Sequence, residues 1–147
     1  MMRAIVVTLT GLILVSDAGS FQRLSGAELD WTGWRGPRRD GWVNGFQPPG
    51  RWPDRLTKGW QVQVGTGYSS PLVAGGSVYQ HARLGGDEVV WCIELETGEI
   101  KWRQSYSVPF KASPGGERHG TGPKSSPTLA DGRLFTMSIT GDLSAWD

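Results

Sequence analysis

Cysteine is almost missing from this chain: Cys92 is the only one in 147 residues. A disulfide within the chain is therefore impossible, and the apolar neighbours Val89, Val90, Trp91 and Ile93 favour a small buried side chain over a reactive thiol. Histidine is nearly as scarce. His81 and His119 have no Cys or carboxylate cluster at ligand spacing, so neither reads as a metal site. His119 also has no visible partner that would make it a catalytic base. Charge of one sign is lacking too. The net charge is +1, which gives no bulk attraction to nucleic acid or an anionic membrane. The apolar run near the N-terminus, Ala4 to Val15, is 12 residues long, and a bilayer span takes about 20.

That short run has another use. Arg3 precedes it and Ser16-Asp17-Ala18 follows, which is the order of a secretory leader with a small-residue cleavage site. Residues 1–18 are expected to be a signal peptide. The mature protein is then expected to be periplasmic or secreted, with no membrane span.

What the chain has in excess is 22 Gly, 9 Pro and 8 Trp. Gly and Pro punctuate the mature region throughout and argue against long helices. Trp suits seams between packed layers. Residues 19–59 read as an irregular Trp/Pro-rich segment. In Trp34-Arg35-Gly36-Pro37-Arg38-Arg39-Asp40, stacking on single-stranded nucleic acid is one reading. Cation–π contacts and an Asp40 ion pair that pin the segment are the preferred one.

From residue 60 onward the sequence repeats. Ser69-Ser70-Pro71 through Tyr79 recurs as Ser125-Ser126-Pro127 through Phe135, at an offset of 56. Cys92-Ile93-Glu94 matches Ala145-Trp146-Asp147 at 53, and Trp60 to Val64 matches Trp102 to Tyr106 at 42. The connection from Trp102 to Ser125 is 14 residues longer than that from Trp60 to Ser69, which reconciles the offsets of 42 and 56. The unit is thus 42 residues with an inserted loop in one copy. Units of about 40–45 residues holding four short strands mark propeller blades. Strands are expected at 71–74, 77–82, 88–94 and 100–106, with another at 60–64. The Gly75-Gly76 and Asp131-Gly132 turns suit type I′ hairpins. The expected class is all-β: a β-propeller fragment of about one and a half four-stranded antiparallel blades. One complete blade covers 69–106, an inserted loop 108–124, and an incomplete blade 125–147, all within a repeat region spanning 60–147.

Cys92-Ile93-Glu94-Leu95-Glu96-Thr97-Gly98-Glu99-Ile100-Lys101-Trp102 resembles the repeat signature of pyrroloquinoline quinone (PQQ)-type propellers, Ala-x-Asp-x-x-Thr-Gly-x-x-x-Trp. Thr97, Gly98 and Trp102 match, Glu94 stands in for Asp, and Cys92 departs from Ala; Ala145 and Asp147 restore both in the second copy. The segment from Trp34 to Pro71 resembles the amino-terminal plan of PQQ-binding-like, outer-membrane-assembly-lipoprotein-like propellers of bacteria. The resemblance implies that Cys92, Glu94, Thr97, Gly98, Trp102, Ala145 and Asp147 serve blade docking. The small first residue leaves room for a Trp of the adjacent blade, Gly98 allows a tight turn, and Trp102 supplies a ring. It implies an N-terminal fragment of a longer propeller.

Two functions follow as expectations. One is a non-catalytic binding or assembly scaffold, with a protein partner or small molecule on a propeller face and no nucleic acid. The loop residues Lys111, Arg118, His119 and Lys124 are candidates to meet an anionic ligand or that partner. The other is a quinoprotein dehydrogenase acting on an alcohol or sugar with PQQ and Ca²⁺. Such enzymes use an adjacent-cysteine disulfide, which a single Cys cannot form here, so their site would lie mostly in other blades. Gly65-Thr66-Gly67 is no phosphate loop, since Ser70 sits where the fingerprint wants Gly and a strand follows where a helix should.

Overall fold

A computed structural model describes residues 30–147. The leader expected at 1–18 and the start of the 19–59 segment lie outside the described residues. The described chain is all-β, with antiparallel sheets of four and three strands. The first sheet is a meander of β1 (Leu72–Ala74), β2 (Ser77–Leu84), β3 (Asp87–Glu94) and β4 (Ile100–Ser107). The second is a meander of β5 (Thr128–Ala130), β6 (Arg133–Met137) and β7 (Leu143–Trp146). Among the described residues, no helix is long and apolar enough to cross a membrane.

Turn chemistry sets the registers. Gly75 and Gly76 have φ of 54° and 73°, and Asp131 and Gly132 have 49° and 75°. Two successive positive φ values match the right-handed twist of the flanking strands. They align Ala74 with Ser77 and Ala130 with Arg133. A one-residue slip would turn every apolar side chain to the wrong face.

β3 explains the depth of the core. Its run Val89 to Ile93 is buried at every position, so the strand is covered on both faces. Val90 joins Leu72 and Leu134 in one cluster, which draws in Tyr79, Trp102, Tyr106, Leu129 and Trp146 and so links the sheets. Val89, Trp91 and Ile93 face the other way, against Trp60, Val62 and Val64. Fully burying one such side chain is worth about 1.5–3 kcal/mol.

The segment 60–64 is not the strand expected from the repeat. It runs in no ladder among the described residues, and the pairing next to it is a single bridge between Thr66 and Arg83. Side-chain contacts hold it instead. Trp60 Nε1 donates to Leu95 O at 2.8 Å, and Trp91 Nε1 donates to Val64 O at 3.0 Å. A strand needs a partner for its main chain, and this segment lies across a sheet face with no neighbour at its edge.

Equivalent positions of the two repeats touch. Ser69 Oγ donates to Ser125 O at 2.7 Å, and Ser70 N donates to Ser126 Oγ at 2.9 Å. The residues just before β1 therefore meet those just before β5. Trp31 bridges to Val73 and Thr32 O accepts from Leu129 N, so residues 31–32 tie β1 to β5.

Candidate functional site

Two groups of polar side chains stand out, one sealed and one open. The sealed group lies between the sheets. His81 and Glu88 are both fully buried. His81 Nε2 and Glu88 Oε2 are 3.0 Å apart, and the Tyr106 hydroxyl sits 3.0 Å from Nε2 and donates to Oε2 at 3.2 Å. Glu88 Oε1 lies 3.6 Å from Arg83 and accepts from Ile139 N in the second sheet at 3.0 Å. Burial pushes the His81 imidazole below its ordinary value, against the opposing pull of Glu88. Burial also pushes the Tyr106 phenol up to about 12. His81 Nδ1 has no partner among the described residues, which suits a neutral ring with its proton on Nε2, donated to the carboxylate.

The sequence pattern hid this group. His81 and Glu88 lie seven positions apart on two strands, and the β2–β3 hairpin folds them together. The signal that does exist is a charged residue beginning an otherwise apolar strand. His81 and Glu88 have no exposed surface, and the Glu88–Ile139 contact holds the two sheets together.

Arg83 extends that work to the inserted loop. Its guanidinium donates to Val108 O at 2.9 Å, Thr121 O at 2.7 Å and Gly86 O at 2.6 Å. Val108 begins the loop and Thr121 lies three residues before its end, so one buried cation closes its base. A planar fork with several fixed donors suits three carbonyls at once.

The open group forms on that loop. Gly65, Thr66, Gly67 and Tyr68 on one side and Glu117 to Gly120 with Gly122 on the other enclose an open cleft of about 420 Å³. The two walls approach at main-chain contact. A Cβ on Gly122 would lie 2.3 Å from Thr66 O, and Tyr68 N donates to Pro123 O at 2.9 Å. Arg118 and His119 line the cleft from a 3-10 turn at Glu117–His119. Lys124 folds back, its Nζ donating to His119 O and Gly120 O and lying 4.2 Å from the Tyr68 ring centroid. Of the four loop candidates, Arg118 and His119 are brought together at the cleft, Lys124 braces its wall, and Lys111 is exposed elsewhere on the loop.

The residues of the repeat signature lie at packing and turn positions. The ring of Trp60 covers Gly98, whose φ is 75°, and a Cβ there would come within 2.6 Å of the ring. Thr97 Oγ1 accepts from Glu99 N within the same turn. Cys92 is buried opposite Tyr79 and Trp102. Glu94 pairs with Lys101, which holds its carboxyl below the usual range and raises the ammonium. Asp147 pairs with Arg133 at 2.8 Å. Ala145 lies on β7 beside an open hollow lined also by Trp102, Gln104, Trp146 and Asp147.

The amino-terminal Trp/Arg segment closes largely on itself. Arg35 lies 5.6 Å from the Trp34 ring centroid, Arg38 pairs with Asp40 at 3.0 Å, and Trp42 N donates to Asp40 Oδ1. Trp31 packs over Gly36, and so it is Trp31 that pins this turn, while Trp34 and Trp42 stay exposed.

No group of three or more His, Cys, Asp or Glu side chains converges to hold a metal ion among the described residues. With one cysteine, these residues cannot form the adjacent-cysteine disulfide of a quinoprotein dehydrogenase. The chain matches no protein-family model, no curated protein and no solved structure. Its class is set by its own geometry: an all-β protein of two antiparallel sheets, joined through a buried charge cluster and carrying a clefted loop.

Proposed function

We propose that the chain is an exported, non-catalytic binding or assembly scaffold built of PQQ-like propeller blades. One observation carries the reading. In the titratable cluster most resembling catalytic machinery, His81 and Glu88 are fully buried and Tyr106 half-buried between the sheets, and the groups offered outward sit on the loop cleft. The repeated Ser-Ser contacts and the Trp60–Gly98 interlock support the blade reading, because they join units side by side. Arg118 and His119 suit an anionic small molecule or an acidic segment of a protein partner, held by charge and by the main chain of the glycine-rich wall.

The test is a titration of the purified full chain with PQQ and Ca²⁺, following quinone absorbance and dye reduction. No saturable binding is expected from a chain with an intact β-sheet signal. Saturable binding with dye reduction would sink the scaffold reading in favour of a dehydrogenase. A parallel titration with inorganic phosphate, read by NMR at His119, is expected to move the His119 ring signals, and to leave them unmoved in Arg118→Ala.

A further inference from the structure

Both walls of the loop cleft are fastened to one buried residue, Arg83. Its main chain holds the first wall. Thr66 N donates to Arg83 O at 2.8 Å, and Arg83 N donates to Thr66 O at 2.7 Å. Gly65 beside it is pressed so close that a Cβ there would lie 2.2 Å from Arg83 O. The Arg83 side chain holds the second wall. Its Nε donates at 2.7 Å to the carbonyl of Thr121, which sits between the cleft residues Gly120 and Gly122. Its Nη2 donates at 2.9 Å to Val108 O, where the loop begins. The walls also meet each other where Tyr68 N donates to Pro123 O at 2.9 Å. On its far side the guanidinium lies 3.6 Å from Glu88, which accepts from Ile139 N of the second sheet at 3.0 Å.

We propose that Arg83 is the positioning residue of the cleft: it sets the spacing of the two walls, and with it the grip on an anion, and it links that grip to the Glu88 contact between the sheets. The inference rests on the anion-binding reading of the cleft given above. Arg83 touches no ligand in this scheme, because its guanidinium is occupied by three carbonyls and a carboxylate. It acts through Arg118 and His119, which sit on a 3-10 turn with no buried residue of its own. Their place relative to the Gly65–Tyr68 wall is therefore set by how the loop is tied at its base.

The physics is preorganisation. An anion held between walls that already stand at the right distance does not have to order the loop as it binds. A planar guanidinium with fixed donors keeps several carbonyls in one arrangement, which a flexible ammonium does not. Linkage then works in both directions. An anion that favours the closed walls also favours the Arg83 geometry that closes them, and so steadies the Glu88–Ile139 contact on the other side of the guanidinium. Lysine at position 83 would keep the main-chain bonds to Thr66 and a charge facing Glu88, and would lose only the fork.

NMR titration of the full chain with inorganic phosphate tests it. In Arg83→Lys the dissociation constant read at the His119 ring is expected to rise by about fivefold or more. The Tyr68 amide proton is expected to move upfield as its bond to Pro123 O lengthens. Both are expected to stay put in Gly132→Ala, which strains a left-handed turn outside the cleft and so lowers stability without touching either wall. Equal phosphate affinity in Arg83→Lys and the unaltered chain overturns the proposal. The unaltered chain gives a second test that needs no variant to fold: saturating phosphate is expected to shift the Ile139 amide together with that of Tyr68. An Ile139 amide that stays still while His119 responds overturns the link to the seam. If phosphate leaves His119 unmoved in the unaltered chain, the anion reading falls, and the Tyr68 amide of Arg83→Lys still decides the clamp. A Tyr68 amide unchanged in that variant overturns the clamp whether or not phosphate binds.

Discussion

The hairpins β2–β3 and β6–β7 occupy equivalent places in the repeat and are stabilised in different ways. The first buries His81, Arg83 and Glu88 against its neighbour. The second closes through a small hydroxyl–carboxylate turn, in which Asp142 accepts from Thr140 and Ser138, holding its carboxyl below the usual range. At the places of His81 and Arg83 the second copy has Met137 and Ile139. The repeated residues, Ser-Ser-Pro, the turn glycines and the Trp, build a sheet that stacks. The unrepeated ones fix one seam and one loop. Position-specific behaviour in a repeat protein is therefore to be sought where the copies disagree.

Breaking the buried cluster tests that difference most severely. Glu88→Ala removes the partner of His81, Tyr106, Arg83 and Ile139 N and leaves the Arg83 cation without its carboxylate between the sheets. A loss of about 3–5 kcal/mol is expected in urea unfolding. Asp142→Ala in the other hairpin is expected to cost no more than about 1 kcal/mol, as an exposed turn residue should. Equal losses from the two hairpins would erase the contrast.

Gly98→Ala probes the repeated part. The left-handed backbone costs about 1–2 kcal/mol for a non-glycine residue, and the new methyl must also displace the Trp60 ring. A total near 2–3 kcal/mol is expected, with red-shifted tryptophan emission. Gly141→Ala has the same sign of φ but open space around it, and only the backbone part of that cost is expected.

Acidity separates the hairpins further. The His81 value is depressed in the folded protein, so the unfolded chain binds its proton first as pH falls. The stability associated with the neutral ring is complete above about 6.5, and it is lost as pH falls through the depressed folded value. His81→Gln is expected to flatten that part of the melting-temperature profile. At the alkaline end the sign reverses. Tyr106 is held protonated to about 12, so stability falls as pH rises from about 10 toward that value, and Tyr106→Phe removes the slope. A modest effect is assigned to Arg83→Lys at constant pH, about 1–2 kcal/mol, because an ammonium cannot reach both Val108 O and Thr121 O. Its sharper readout is proteolysis within 108–121, expected to accelerate several-fold.

The sheets were largely legible because their signals are local. The Gly75-Gly76 turn and the apolar strands beside it place each strand of the first sheet within two residues of its expected bounds, and the Asp131-Gly132 turn sets the matching hairpin of the second. The segment 60–64 was misjudged as a strand because a repeat match transmits side-chain pattern and not main-chain partners. Its side chains keep the β4 arrangement, while its ladder depends on a neighbour that no local signal specifies. The His81–Glu88–Tyr106 cluster was invisible for a related reason: three strands bring it together, and its spacing matches no linear motif. On the loop, charge made Lys111, Arg118, His119 and Lys124 look like one group, but Lys124 is engaged with carbonyls and the Tyr68 ring.

The contact between Ser69 and Ser125 carries a lesson about duplication. One position of the unit meets its own copy, Oγ donating to a carbonyl, so a single residue must serve both as giver in one copy and receiver in the next. A hydroxyl residue meets that demand without any change as units are added, because its side chain donates while its main chain accepts. In the second copy Ser125 Oγ turns to Met137 O within its own sheet. The serine thus acts as a relay that is satisfied with or without a further unit beside it, which lets such a chain lengthen by copying without rewriting its seams.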